Sequence, residues 1–420
     1  MTVEAETDVI VVGAGPAGSA TAIHLARAGR SVLLLDKSTF PRSKVCGDGL
    51  TPRAIRELDL LGVDTHGEQW RKTAGLIIHT SRPQAYQLPW PELDAFPSYG
   101  AVRRREEFDD VLRRHAVAAG ARFRDGVLVT GPLRDDTGRI CGVETDAGQF
   151  RAPVVVAADG NSARLALAAG IDRDPSRPMG VAVRTYFRSP FGDDLWLHSW
   201  LELWDGAPGR STLLPGYAWS FPLGDGVANV GLGLPSTAKA FGKISYRDLL
   251  QRWLAATPSG WGFTEENRLE PIGSAALPMG FNRHPAYRDG LMLVGDAAGV
   301  VSPFNGEGIS SALETGRIAA EHIVAAFDRG VRAPAGEAEL KAYPRHLADL
   351  WGGYYCFGRL FLAVVGQPAL MRIAARHILP VPGVAGLMHK LMANLTNERP
   401  VDLPDRIVHL VSRIVPADRP

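Results

Sequence analysis

Asp8-Val9-Ile10-Val11-Val12-Gly13-Ala14-Gly15-Pro16-Ala17-Gly18 is the stretch that decides the fold. Asp8 to Val12 is a short apolar run of strand type, the glycines follow at once, and an apolar-periodic helix continues to about Ala28. A second apolar strand, Ser31 to Leu35, ends in Asp36. Strand, glycine turn, helix, strand and acid together describe a dinucleotide site. Gly13 permits the tight turn, Gly15 lets backbone approach a pyrophosphate, and Gly18 lets helix and strand pack closely. The helix N-terminus, opened by Pro16 and Ala17, meets the phosphate charge. Asp36, followed by Lys37, can accept hydrogen bonds from ribose hydroxyls. The pattern does not by itself separate NAD from FAD.

Two later motifs make that separation. Val154 to Ala157 is a buried-type strand leading into Ala158-Asp159-Gly160-Asn161-Ser162-Ala163-Arg164. Leu291 to Val294 is another, leading into Gly295-Asp296-Ala297-Ala298-Gly299, then Pro303, then Gly306-Glu307-Gly308-Ile309 at the start of a helix. Asp296 can hold a ribityl hydroxyl, and amides near Gly308 can meet isoalloxazine carbonyls. Asp-Gly is also a common turn dipeptide, so the weight lies in three motifs in order, each at a strand end. This arrangement resembles the flavoprotein fold of p-hydroxybenzoate hydroxylase and its relatives over residues 8 to about 330. The resemblance implies FAD, and it implies that Arg105, heading the helix Arg105-Glu106-Glu107-Phe108-Asp109, contacts the cofactor.

A third feature is Tyr217-Ala218-Trp219-Ser220-Phe221-Pro222, followed by Gly231-Leu232-Gly233. Alternate side chains of a strand share a face, so Tyr217, Trp219 and Phe221 form one aromatic row. Leu223 to Gly226 reads as a turn and Val227 to Leu234 as the returning strand. A three-residue loop, Gly224 to Gly226, sets Trp219 opposite Gly231 and Tyr217 opposite Gly233. That leaves a slot for a flat or elongated apolar ligand; the plainer reading is rings packed over strand glycines.

With Phe40-Pro41-Arg42-Ser43-Lys44-Val45-Cys46-Gly47-Asp48-Gly49-Leu50, the hairpin resembles the geranylgeranyl reductase family, whose signature is Tyr-x-Trp-x-Phe-Pro, seven or eight residues, then Gly-x-Gly. Tyr354-Tyr355, Gly366-Gln367-Pro368 and Leu391 to Leu395 look most like its actinobacterial menaquinone reductases. The resemblance implies reduction of carbon–carbon double bonds in a polyprenyl chain, with a lipid or quinone as substrate. It places Cys46-Gly47 beside the flavin, with Cys46 as gate or proton relay, the plainer reading being a small buried hydrophobe. Because aromatic faces stabilise cations, Tyr217 and Trp219 are expected to serve the transition state at the alkene. Tyr217, Trp219, Phe221, Gly231 and Gly233 are then the substrate wall. Arg42 and Lys44 are either FAD-phosphate ligands or ordinary surface charges. The rival on the same fold is a flavin monooxygenase or halogenase; halogenases carry Gly-Trp-x-Trp-x-Ile-Pro, from which Gly216-Tyr217-Ala218-Trp219-Ser220-Phe221-Pro222 departs twice.

Bulk properties narrow the field further. The 420 residues are 45% hydrophobic and 22% charged, with net charge +1, which gives no attraction to nucleic acid. Three cysteines (Cys46, Cys141, Cys356) are too few for a disulfide framework or a metal site. The acidic first eight residues and the lack of an 18-residue apolar run lead to the expectation of a cytoplasmic enzyme without signal peptide or spanning helix. No second glycine-rich nucleotide domain is evident, so the expected electron donor is transiently docked NAD(P)H or a ferredoxin-type carrier.

The expected architecture is α/β: a discontinuous Rossmann-type FAD-binding domain (1–75, 101–178 and 275–330), an antiparallel substrate sheet (76–100 and 179–274) and a helical C-terminal region (331–420). Within the last, Leu350 to Met371 and Ile378 to Leu395 read as buried helices. The alternative is a surface on which Trp351, Tyr354, Tyr355 and Phe357 meet lipid, peripheral on the inner face of the cell membrane.

Overall fold

The computed structural model describes residues 7–80, 85–207, 209–381, 383–396, 405, 406 and 410. Most of the acidic N-terminal stretch, residues 81–84 of the first insertion, and residues 397–404, 407–409 and 411–420 of the expected C-terminal region lie outside them.

A six-stranded sheet carries the three glycine motifs. Its order is Tyr287–Arg288, Leu291–Leu293, Val154–Ala157, Val9–Val12, Val32–Leu35, Arg122–Arg124. All neighbours are parallel except the short Tyr287–Arg288 hairpin. The strands Val9–Val12, Val32–Leu35 and Val154–Ala157 are buried along their whole length, which is why they read as unbroken apolar runs. Because Val12 pairs with both Leu35 and Ala157, and Ala157 with Leu293, the motifs that follow these strands emerge side by side at one edge. Ligands of open α/β sheets bind outside that carboxyl edge.

Helix Pro16–Arg27 packs on helix Ile309–Asp328. Their approach is close: a Cβ on Gly316 would lie 2.6 Å from the Ala17 carbonyl oxygen. A three-stranded antiparallel sheet (Val129–Arg134, Ile140–Thr145, Gly148–Arg151) completes this half.

The second half is a seven-stranded sheet ordered Gly273–Pro278, Met179–Arg188, Val227–Pro235, Tyr217–Gly224, Trp196–Trp200, Gly75–His79, Tyr86–Pro89. It differs from the expected boundary at one end: Gly273–Pro278 pairs with Met179–Arg188, so residues 275–278 belong to this sheet. The aromatic hairpin has the expected register, Trp219 opposite Gly231 and Tyr217 opposite Gly233. Its turn is tighter than expected. Asp225 and Gly226 both have positive φ (53° and 65°), and a bulge between Pro222 and Gly224 restores the register.

Helices Pro334–Leu347, Gly353–Val365, Pro368–Ile373 and Val384–Met392 follow. Trp351, Tyr354 and Tyr355 are buried, as the buried-helix reading expects, which corrects the lipid-facing alternative for these three; Phe357 is half-buried against the core. Tyr355 donates to the Val300 carbonyl (2.6 Å) and Tyr354 to the Leu391 carbonyl (3.0 Å). Large apolar side chains exposed along this region include Leu360, Val364, Leu370, Ile373 and Ile378. Among the described residues no single helix is long and apolar enough to cross a membrane.

Candidate active site

One cavity of about 910 Å³ runs from the carboxyl edge of the parallel sheet, along one face of the seven-stranded sheet, to the C-terminal helices. At its first end the residues fit a dinucleotide by shape. A Cβ on Gly13 (φ 105°) would stand 2.3 Å from the Ala158 carbonyl oxygen, and one on Gly18 1.8 Å from the Gly13 carbonyl oxygen. Gly18 therefore packs helix on turn and does not itself line the cavity, whereas Gly13, Gly15, Pro16 and Ala17 do. Asp36 accepts from the Ala14 amide (2.9 Å) and the Ser38 amide (2.9 Å), which fixes the carboxylate at the turn; Lys37 lies exposed beside it.

Charge in this end is arranged rather than dispersed. Arg42 reaches Asp109 (3.0 Å), and Arg105 grips both oxygens of the same carboxylate (2.6 and 2.8 Å). Burial works against the Arg105 charge, but Asp109 raises its pKa above the usual range. The guanidinium groups of Arg42 and Arg105 stand 3.5 and 3.9 Å from where a Gly15 side chain would begin, over the expected pyrophosphate position. Lys44 is also in the wall, 3.5 Å from Asn161 Oδ1, so the surface-charge alternative does not hold for it. Burial lowers its pKa, opposed by Asp296.

Two carboxylates await partners. Asp159 Oδ2 accepts from the Leu165 amide (3.1 Å), while Oδ1 is buried with no partner among the described residues. Asp296 is influenced by Lys44 and Arg105 through charge alone, with no hydrogen bond to its carboxylate among the described residues. Burial raises the pKa of both. Such orphans in a cradle bounded by Pro303, Gly306, Gly308 and Ile309 fit the hydroxyls of a ribityl chain or ribose.

The aromatic row forms the next stretch of wall. Ring centroids of Tyr217 and Trp219 are 5.9 Å apart, and those of Trp219 and Phe221 6.0 Å. Tyr217 donates to the Asn305 carbonyl (2.6 Å), joining the row to the Gly306–Gly308 loop, and burial pushes its pKa up to about 12. The Cys46 loop lies against the other edge: a Cβ on Gly47 would be 3.3 Å from the Phe221 ring and 3.6 Å from Trp219 Nε1. Burial raises the Cys46 pKa, so the group stays a thiol at neutral pH.

The slot expected over the glycines is half correct. The Trp219 ring lies on Gly231, its nearest carbon 2.4 Å from where a Cβ would be, so Gly231 is covered and does not line the cavity. Gly233 does line it, and a Cβ there would meet only ordinary contacts, the nearest being the Val181 carbonyl oxygen at 3.6 Å. The open groove is therefore beside Tyr217 and Gly233, with Trp219 as its floor.

Three site residues, Asn229, Asp48 and Tyr186, escape the motif reading. Asn229, fully buried, accepts from the Trp219 indole (2.9 Å) and donates to the Cys46 carbonyl (2.8 Å) and Asp48 Oδ2 (2.7 Å). Asp48 also accepts from Tyr186 (2.7 Å) and from the Arg105 amide (3.2 Å). Burial raises the Asp48 pKa, against the hydrogen bonds from Tyr186 and Asn229. The available signals were one polar residue in Val227-Ala228-Asn229-Val230 and the place of Asp48 two residues after Cys46 in the quoted loop.

Comparison with known proteins agrees with this geometry. Residues 6–345 match the FAD binding domain family. The chain is 36% identical over 410 residues to menaquinone reductase of Mycobacterium tuberculosis, covering 97% of this chain and 96% of that protein. It is 33% identical over 332 residues to digeranylgeranylglycerophospholipid reductase 1 of Methanothermobacter thermautotrophicus (77% and 79% covered). Its fold superposes on a geranylgeranyl bacteriochlorophyll reductase-like protein of Thermoplasma acidophilum with a TM-score of 0.74 at 22% identity, covering 97% and 99% of the two chains.

Proposed function

The chain belongs to the FAD binding domain family and is an FAD-dependent oxidoreductase; from that premise we propose that it saturates one or more carbon–carbon double bonds in a polyprenyl chain, with the side chain of menaquinone as the favoured substrate. The observation that carries this reading is the continuity of the cavity. FAD-cradling residues, the aromatic row and apolar side chains of the C-terminal helices, including Phe361, Val365 and Met388, line one space. Similarity to a menaquinone reductase over nearly the whole chain supports the same substrate class.

Reduced FAD, when bound, supplies the hydride. The chain's own residues do the rest. An isolated alkene accepts hydride poorly, so cationic character develops at its substituted carbon as a proton arrives. The faces of Tyr217 and Trp219 stabilise such charge. Tyr217, with its hydroxyl proton held on Asn305, acts through its ring and does not serve as the acid. Cys46, kept protonated by burial, is assigned to give the proton to the second alkene carbon. The thiolate left beside Arg105 regains a proton from solvent before the next turnover, and the Cys46 loop closes the groove. The C-terminal helices exclude water from it and collect the prenyl chain at a membrane surface. The electron donor is assigned to the NAD(P)H or ferredoxin-type class.

Anaerobic incubation of dithionite-reduced protein with menaquinone, followed by mass spectrometry, tests the proposal. After reoxidation of the quinone head group in air, which removes the two hydrogens that dithionite adds there, a gain of two mass units per saturated double bond is expected. No gain with menaquinone or with any geranylgeranyl lipid overturns it, and oxygen-dependent hydroxylation of an added substrate would favour the monooxygenase class instead.

A further inference from the structure

Beyond Phe221, at the end of the row remote from Tyr217, two buried polar atoms have no hydrogen-bond partner among the described residues: Thr51 Oγ1 and His389 Nε2. Both residues line the cavity, and they are 9% and 6% exposed. Both flank Trp90. The His389 ring packs on the indole with centroids 5.0 Å apart. A Cβ on Gly100 would lie 2.6 Å from the Leu50 carbonyl oxygen and 3.0 Å from Trp90 Nε1, so the strand end that delivers Thr51 runs beside the same ring. Thr51 occupies the N-cap of helix Pro52–Leu60 without making a capping bond.

A buried polar atom left unpaired is costly, so two of them on the wall of one cavity call for a ligand. The surrounding wall is otherwise apolar, with Leu76, Leu197, Met388 and Ala393. The nearest cations along the chain are both paired: Lys390 with Asp405 (3.3 Å), and Arg53 with both oxygens of Glu314 and with the Asn394 carbonyl. Burial takes the His389 pKa down to about 4, so its imidazole is neutral and offers one N–H and one lone pair. These features suit a flat, uncharged group bearing oxygen and do not suit a phosphate.

We propose that Thr51 and His389 form a polar clamp beside Trp90 for the substrate's head group, a neutral carbonyl- or hydroxyl-bearing ring of the quinone or quinol class, with the prenyl chain running from it along Phe221 and Trp219 toward Tyr217. The proposal rests on the polyprenyl reading above and adds the head group to it. The clamp has a direction: the reacting alkene lies along the chain from the ring, on the Tyr217 side.

Equilibrium dialysis of the FAD-loaded protein tests it with three probes: a short-chain menaquinone, a prenyl hydrocarbon of equal chain length without a head group, and a prenyl diphosphate. The quinone should bind about tenfold more tightly than the other two. Thr51→Val and His389→Phe should each weaken quinone binding by about 3- to 10-fold, the range for one hydrogen bond, and leave the hydrocarbon unchanged. Equal affinity for quinone and hydrocarbon, tightest binding of the diphosphate, or equal losses for all probes overturns the clamp. If His389→Phe fails to retain FAD, the nearly isosteric Thr51→Val decides alone. A protein that shows the clamp pattern but never reduces a prenyl double bond overturns the proposed function and leaves the clamp standing.

Discussion

Trp219 is tied to Asn229 by a hydrogen bond of 2.9 Å from indole N–H to amide oxygen, and the same amide group reaches the Cys46 carbonyl and Asp48. One side chain thus sets the aromatic floor and the flavin-side loop against each other. Asn229→Leu should leave the indole N–H unpaired and remove two of the loop's anchors, at about 1–3 kcal/mol for each group left unsatisfied. Urea unfolding should show a loss of at least that size. Turnover of FAD-loaded enzyme should fall beyond what incomplete folding explains. Unchanged stability would mean that the loop is held elsewhere.

Gly231 gives a second prediction, because its role is to make room. A Cβ there would sit 2.4 Å from the Trp219 ring and 2.4 Å from the Val183 carbonyl oxygen. Gly231→Ala should push the ring into the groove, raising KM for a long prenyl substrate and shifting tryptophan fluorescence. Trp219→Leu should instead lower kcat more than it raises KM, since the ring face is assigned to the transition state. If KM alone moves in Trp219→Leu, the ring only binds the chain.

The parallel sheet and its three motifs were legible because each motif is a strand end with a fixed backbone task. Turn, close approach and helix start select glycine by sterics alone, so Gly13, Gly15 and Gly18 announce themselves. The hairpin register was legible for the same reason: strand periodicity and a short turn leave little choice. What the sequence did not reveal depends on rotamers and distant neighbours. Nothing local says that the Trp219 ring lies down on Gly231 instead of standing clear of it. Nothing in the helix Val384–Met392 marks His389 as unpartnered, and nothing local pairs Tyr355 and Tyr354 with the Val300 and Leu391 carbonyls.

Cofactor retention should be the first property lost in Gly13→Ala. The backbone at Gly13 has φ 105°, and the added methyl would meet the Ala158 carbonyl at 2.3 Å. Both strain and clash act on the turn that faces the pyrophosphate. The purified variant should fold with roughly a tenth or less of the wild-type flavin absorbance per chain. Full flavin content would show that the turn can relax.

His79 provides a pH test. Burial, reinforced by repulsion from His198, lowers its pKa to about 4. The folded state therefore binds this proton less well than the unfolded chain, whose value is near 6.5. The sign follows: the contribution of neutral His79 is complete above about pH 6.5 and is lost as pH falls toward 4. His79→Gln should be less stable than wild type at about pH 7.5, since His79 hydrogen-bonds His198 (2.9 Å). That deficit should shrink steadily by about pH 4.5. Parallel melting curves across this range would show that His79 does not titrate in it.

The last prediction concerns the surface at the cavity's distal end. Leu370, Ile373 and Ile378 are exposed, and Met371, Ala374 and Ile378 also line the cavity, so the exposed apolar face adjoins the entrance. Arg372 and Arg376 lie in the same stretch, and the sequence from Leu350 to Thr396 contains no Asp or Glu. Apolar side chains set among cations favour an anionic bilayer. The protein should sediment with vesicles containing anionic lipid, less so with neutral ones, and salt should weaken the association. Leu370→Glu with Ile373→Glu should abolish sedimentation and cut turnover of vesicle-embedded menaquinone by roughly fivefold or more. Turnover of detergent-solubilised substrate should be retained, because neither side chain reaches the flavin end. Equal loss with both forms of substrate would place these residues in the groove itself and remove the membrane from the account.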